Sequence, residues 1–415
     1  MSIEAEEVVL HRAQPHKDMY CRTLKRGLSL QCRFQHSLPK PALKTMQAWQ
    51  TFQYGGTDKL QLNEMAEIPT VKNTCTDMLV KVHASSVNPL DVRMLEGYGA
   101  KTFNCVRQLN KCSLNADEFP LVLGRDFSGT VAYVGKGVKN YKCGDEIWGA
   151  LSPWQSGSHS EYVLGSICYS SKKPSSISHS EAASIPYAGL TAWAGLSTFG
   201  ELSEKNAYGK RVLVIGASGG VGTFAIQLLK AWGAEVTAIC ATDAVEMIQN
   251  LGAENVLDYK CPEFKYNLKE LKGFDLIFDN VGGEYHDLTI NLLKSWRNCK
   301  YITVVSPLLK NADDKGVLFG TALSVVQAGL DTAMSLKDGK SLRWAYFIPN
   351  GCALKTIARM VDNKQIIPVV EKVYKFEEMP QAYERVLNGH ARGKTVVDHT
   401  NEEIENKHKE ECVKV

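Results

Sequence analysis

Val212-Leu213-Val214-Ile215-Gly216-Ala217-Ser218-Gly219-Gly220-Val221-Gly222 reads as a strand that stops on a glycine-rich turn and restarts as a helix. Four apolar residues in a row suit a strand buried on both faces. Residues 223–232 then carry Phe224, Ile226, Leu228 and Leu229 in a helical pattern. Glycine suits the turn between them because a side chain would hold a diphosphate away from the backbone. The helix start adds free N–H groups and the positive end of the helix dipole. A turn that merely lets helix pack on strand is the simpler account. The strand–turn–helix context on both sides favours a dinucleotide, with Ser218, Gly219, Gly220, Val221 and Gly222 in contact.

Downstream, β-type runs at 235–240, 255–259, 274–278, 301–305 and 342–348 alternate with helical stretches, one at 244–251 closed by Gly252. That alternation predicts an α/β, doubly wound parallel sheet. The tip of its second strand chooses the nucleotide. An acid there would bind the ribose 2′-hydroxyl and repel a 2′-phosphate. Residues 239–242 read Ile-Cys-Ala-Thr, and Asp243 stands at a helix start, where capping is the commoner job. Ala241, Thr242, Tyr259, Lys260 and Arg392 can surround a 2′-phosphate, although Lys260 reads equally well as a solvated loop lysine. The expectation is NADPH rather than NADH. After the fourth strand, Gly282 and Gly283 allow close backbone approach and Asn280 can bond the cofactor, or they form a plain turn.

Upstream, residues 46–184 are strand-like. Met78, Val80 and Val82 alternate in residues 77–83, and short runs follow at 128–134 and 146–150, punctuated by Gly135, Gly137 and Gly144. Many short strands with glycine turns predict a barrel-like β domain. Residues 98–120 lack periodicity and read as a long loop. Residues 365–399 regain β character, so that domain is split in sequence. The expected domains are 1–45 as a transit peptide or disordered arm, 46–185 and 351–399 as the β domain with a connecting helix, 186–350 as the dinucleotide domain, and 400–415 as a disordered tail.

Residues 11–44 hold eight Lys and Arg, from Arg12 to Lys44, against the single acid Asp18. This resembles a mitochondrial transit peptide. Glu4, Glu6 and Glu7 break the pattern, and a start at Met19 would restore it. The net charge of +3 offers no case for nucleic acid, and no run of about 18 apolar residues predicts a membrane span. The 12 scattered cysteines form no C-x-x-C pair, which suits a reducing compartment.

Val87-Asn88-Pro89 with Asp91, residues Gly124-Arg125-Asp126-Phe127-Ser128-Gly129, and Gly144-Asp145-Glu146 resemble the GroES-like domain of quinone-reductase-type medium-chain dehydrogenases/reductases. Residues 182–193, the glycine loop, Asp279-Asn280-Val281-Gly282-Gly283 and His390-Ala391-Arg392-Gly393-Lys394 continue that resemblance over residues 46–399. Within the family the chain looks most like a mitochondrial, reticulon-interacting branch. The resemblance implies a GroES-like β-barrel catalytic domain beside a Rossmann domain, NADPH, the mitochondrial matrix, a link to ubiquinone biosynthesis and its pathway proteins, and a reticulon partner. It also implies that Ala345 and Phe347 line the nicotinamide end, and that His390 and Ala391 join Arg392 at the cofactor. Zinc-dependent members place a histidine where this chain has Arg125, which has no lone pair to offer, and the four-cysteine lobe is missing. Cys105 and Cys112 alone do not complete a tetrahedral set. The expectation is no metal.

Without a metal, hydrogen-bond donors must steady the oxygen that gains charge when hydride reaches a quinone or activated enone. Asn88, Tyr98 and Arg93 are the candidates. Each has a plainer role: Asn88 as a turn residue before Pro89, Arg93 as the partner of Asp91 or Asp126, Tyr98 as packing. Arg93 also stands where related quinone reductases often carry tyrosine. The expected function is a zinc-independent NADPH-dependent quinone or enone reductase. The alternatives are an NADPH-binding scaffold with little turnover and an enoyl-thioester reductase.

Overall fold

The computed structural model describes residues 45–71, 76–113, 118–337 and 339–400, with all their side chains but that of Met334. The presequence reading, Met19 included, and the expected tail from 401 lie outside the described residues.

In chain order the strands are β1 (Thr45–Thr51), β2 (Gln61–Glu67), β3 (Asp77–Val87), β4 (Leu121–Val122), β5 (Asp126–Val134), β6 (Glu146–Ala150), β7 (Tyr162–Ser166), β8 (Ser170–Lys172), β9 (Arg211–Ile215), β10 (Glu235–Cys240), β11 (Asn255–Asp258), β12 (Leu276–Asp279), β13 (Cys299–Thr303), β14 (Lys340–Trp344), β15 (Val370–Lys375) and β16 (Lys394–Asp398). The helices are α1 (Pro89–Leu95), α2 (Ala100–Lys111), α3 (His179–Ala183), α4 (Pro186–Trp193), α5 (Gly220–Ala231), α6 (Val245–Leu251), α7 (Phe264–Glu270), α8 (Glu284–Thr289), α9 (Leu308–Lys315), α10 (Val317–Leu336), α11 (Gly351–Asp362) and α12 (Met379–Leu387).

Six strands form a parallel sheet in the order β11-β10-β9-β12-β13-β14. This is the doubly wound order, in which the chain reverses direction across the sheet beside β9 and leaves a crevice there. The apolar run of β9 feeds both faces: Val212 and Val214 pack into one core cluster, Leu213 and Ile215 into the other. Each buried aliphatic side chain of this kind contributes roughly 1.5–3 kcal/mol. That explains why a strand with no polar face is stable at this position.

A mixed seven-stranded sheet carries β15-β16-β3-β5-β6-β8, with β7 on β3, and β2-β1-β4 form a small sheet beside it. In residues 77–83, Met78, Val80 and Val82 are buried together as their alternation predicts, and Leu79 on the opposite face is buried too. The last strand, β16, lies inside this sheet between β15 and β3.

Two segments depart from the expectations. Residues 98–120 are not a continuous loop, because residues 100–111 form α2. Its only buried residue is Phe103, and Gly99 offers no capping side chain. Asp313, on α9, accepts from the Gly99 and Lys101 N–H groups at 2.6 and 3.2 Å. The cap comes from a distant part of the chain, so local periodicity does not reveal it. Helix α10 also lies outside the alternation read from the sequence. Its inward positions are polar or small: Ser324 accepts from Asn311 Nδ2 at 2.9 Å, Thr332 Oγ1 donates to the Leu342 carbonyl at 3.2 Å, and Ser335 Oγ accepts from the Leu342 N–H at 3.2 Å.

His159 is fully buried beside the Tyr383 hydroxyl, 3.1 Å from its Nδ1. Burial drives its pKa down to about 3 from the ordinary 6.5. Its folded form is neutral while the unfolded chain takes up a proton, so this stability is present above pH 6.5 and lost as pH falls toward 3. Thermal melts should fall below pH 6.5 with a slope of up to about 1.4 kcal/mol per pH unit from this group. A His159→Gln variant that kept the full slope would contradict this assignment.

Candidate functional site: a glycine-floored cleft beside a buried ionic cluster

The crevice beside β9 is a cleft of about 560 Å3, within the range of small-molecule sites. Its floor is residues 216–222. Helix α5 begins at Gly220, earlier than the apolar pattern alone suggests, so the loop's second half is already helical. A Cβ on Gly222 would lie 2.4 Å from the Gly216 carbonyl oxygen, which makes glycine obligatory there. A Cβ on Gly219 would meet only that same oxygen, at 3.8 Å, and otherwise occupy open cleft. Gly219 therefore keeps the floor low rather than letting the chain turn. The loop is clamped to the other sheet: Gly393 N–H donates to the Ser218 carbonyl at 2.9 Å, and Gly219 pairs with Gly393.

At the outer end, Arg392 bonds Asp243 at 2.6 Å and Ser218 Oγ at 3.3 Å. Asp243 is not a helix cap here. Its carboxylate faces Arg392, which holds it below its usual pKa. Thr242 Oγ1 donates to Asp258 at 2.6 Å, and the Lys260 N–H donates to the same carboxylate at 2.8 Å. Asp258, an acid at the tip of β11, was not among the sequence candidates, because only the pairing of β11 with β10 brings it beside residues 240–242. Tyr259, His390, Ala391 and Arg392 line the cleft. Thr242 and Lys260 are exposed at its margin and Ala241 is buried behind it. Toward the inner end, Asn280 donates from Nδ2 to the Ile215 carbonyl at 2.9 Å, and its Oδ1 is buried with no partner.

The inner wall is a buried cluster of two cations and two anions. Asp126 Oδ2 accepts from Ser86 Oγ at 2.6 Å, from Asn88 Nδ2 at 2.8 Å and from Lys394 Nζ at 3.3 Å, while Oδ1 accepts from the Tyr187 N–H at 2.5 Å. Lys394 also donates to Asn88 Oδ1 at 2.5 Å. Asp91 accepts from Asn88 Nδ2 at 3.2 Å and pairs with Arg125 Nε at 3.3 Å. Arg125 further donates to the carbonyls of Ser152, Gln155 and Val122. Asn88 thus has both amide hydrogens and its oxygen engaged by its own protein. Lys394, expected only as part of the motif at 390–394, ties the Asn88 amide to the Asp126 carboxylate.

Arg93 does not pair with Asp91 or Asp126. It is exposed, its guanidinium 5.8 Å from the Tyr98 ring centroid. Tyr98 is half-buried, and burial raises its pKa. Tyr187 stacks on Phe347 with centroids 4.3 Å apart. Burial, then the Asp91 carboxylate, raises the pKa of its hydroxyl. Phe347 is half-buried against Tyr187, and Ala345 is buried with its N–H on the Thr303 carbonyl; neither lines the cleft floor. Among the described residues no group of three or more His, Cys, Asp or Glu side chains is placed to hold a metal.

The comparisons with known proteins agree with this architecture. Residues 74–174 match the model of the alcohol dehydrogenase GroES-like domain, and residues 251–397 match a model described as zinc-binding dehydrogenase. The mitochondrial NAD(P)H oxidoreductase RTN4IP1 of Mus musculus is 44% identical over 371 residues, covering 87% of this chain and 93% of that protein. The chain belongs to the medium-chain dehydrogenase/reductase superfamily. Within that superfamily, the protein of the same name from Drosophila melanogaster is 37% identical over 92% of this chain and 94% of its own length. A quinone oxidoreductase from Coxiella burnetii superposes with a TM-score of 0.69 at 27% identity, covering 86% of this chain and 99% of that one. These superfamily relatives carry the same pairing of a GroES-like unit with a parallel dinucleotide sheet.

Proposed function

We propose that this chain is a mitochondrial, NADPH-dependent and zinc-independent reductase of a quinone or activated enone. The supporting observation is the cradle itself: a floor that any side chain at Gly219 would raise, with the unpartnered Asn280 Oδ1 at its inner end and Arg392 at its outer end. These features fit a dinucleotide. Bound there, NADPH supplies a hydride to the substrate. The loop N–H groups would hold its pyrophosphate, Asn280 its inner half, and Arg392 with Tyr259 and Lys260 its 2′-phosphate. Asn88 positions rather than donates, and with Lys394 it would hold the inner wall of the cofactor cleft. Tyr98 and Tyr187, whose hydroxyls carry no hydrogen bond among the described residues, are the donors available to an oxygen gaining charge. The zinc-independent reading rests on Arg125, whose guanidinium has no lone pair to offer a metal and is held by Asp91 and backbone carbonyls. The mitochondrial setting and any reticulon partner rest on the names of the relatives.

Titration with NADPH and NADH, followed by nicotinamide fluorescence, tests the cofactor choice. Arg392→Ala should weaken NADPH by about tenfold to a hundredfold, in line with loss of a charge-assisted pair, and leave NADH nearly unchanged. Equal losses for both would refute the 2′-phosphate role. Tyr98→Phe should lower kcat with quinones by about tenfold to a thousandfold while NADPH affinity holds, as expected of a donor used in the transition state. Saturation of the Asn88 donors favours a second reading, a cofactor-binding scaffold. That reading predicts NADPH binding with no oxidation of it across a panel of quinones and enones.

A further inference from the structure

Among the described residues, the charges around the inner end of the cleft are matched except at one point. Asp91 pairs with Arg125, and Asp126 with Lys394, inside the buried cluster. The Asp313 carboxylate is taken by the start of α2, through the Gly99 and Lys101 N–H groups, and the Lys101 ammonium binds the Asp313 carbonyl. Arg93, in the last turn of α1, has no carboxylate partner among the described residues; the exposed Glu96, one turn on, forms no ion pair with it. Its guanidinium stands 5.8 Å from the centre of the Tyr98 ring, and the Tyr98 N–H donates to the Arg93 carbonyl at 2.9 Å. A cation beside an aromatic ring is held there rather than left to swing through solvent.

Tyr98 lies within electrostatic reach of two further tyrosines. Burial, then Arg93, Asp313 and Tyr346, act on its hydroxyl, and Tyr98 in turn acts on that of Tyr187, after burial and the Asp91, Arg125 and Asp126 charges. The unmatched cation therefore stands beside the hydroxyls available to a substrate oxygen. We infer that Arg93 selects a substrate with a carboxylate beside its reducible quinone or enone. The inference rests on the reductase reading above and narrows its substrate class. A planar fork of N–H donors matches a planar carboxylate, which the point charge of a lysine does not. One unmatched positive charge, with Asp313 and Glu96 close by, suits a monoanion better than a phosphate dianion.

Two probes that differ only in charge test this: a benzoquinone with a short carboxylate side chain, and its methyl ester. In the wild type kcat/KM for the acid should exceed that for the ester by about tenfold, the scale of one charge-assisted hydrogen bond, and the ratio should shrink as salt rises. Arg93→Gln should bring the ratio to within about twofold of unity, whatever it does to the absolute rates, and Arg93→Lys should keep part of the preference. Both variants should melt with the parent, since the side chain is exposed. A wild type that does not distinguish acid from ester overturns the inference, and so does an Arg93→Gln variant that still prefers the acid. If neither probe is reduced, the reductase reading fails, and titration of both probes into the NADP+ complex still decides the role of Arg93. Tighter binding of the acid, lost in Arg93→Gln, supports the carboxylate site; equal binding overturns it.

Discussion

Gly219→Ala should fold with a melting temperature close to that of the parent and lose dinucleotide binding by about a hundredfold or more. Its backbone is extended, at φ −78°, so alanine is no strain. The added Cβ meets nothing nearer than an oxygen at 3.8 Å. That same free space is where a phosphate must approach the loop N–H groups, and a methyl group there holds it off; a hundredfold is about 2.7 kcal/mol, a reasonable value for lost charge-assisted hydrogen bonds. Gly222→Ala provides the contrast. Its Cβ would sit 2.4 Å from one carbonyl oxygen and 2.6 Å from the next, so the loop must distort and stability should fall along with binding. Isothermal titration with NADPH beside a thermal melt separates the two. If Gly219→Ala bound like the parent, the cofactor would not lie on this floor.

Asp126→Ala should be the most destabilising single change in the inner wall, by about 3–5 kcal/mol in urea unfolding, as for other broken buried ion pairs. It removes the acceptor of Ser86, Asn88, Lys394 and the Tyr187 N–H together, and leaves the Lys394 cation buried beside an amide. Adding Lys394→Met to that variant should restore part of the loss, because the stranded charge goes too. Losses that simply added in the double variant would mean that Lys394 and Asp126 do not act as a unit.

The glycine loop and the alternating strands were legible because each is local. A few neighbouring residues set the backbone by themselves. What escaped depends on partners far along the chain. Asn88 looks like a free donor until Lys394, 306 residues later, takes its oxygen and Asp126 and Asp91 take its hydrogens. Helix α2 buries only Phe103, so its apolar pattern is weak, and the cap on its start comes from Asp313, far along the chain. Helix α10 defeats the usual periodicity argument because its apolar stripe points outward. At the outer end, Asp243 was expected to cap a helix but binds Arg392, and Asp258, on a different strand, takes the Thr242 hydroxyl.

The pairing of Gly219 with Gly393 makes the cleft floor a joint between two sheets. The floor follows β9, whereas β16, which clamps it, comes from far along the chain and is itself held between β15 and β3. A change that loosens β16 from β3 would therefore unclamp the floor without altering any residue of the glycine loop.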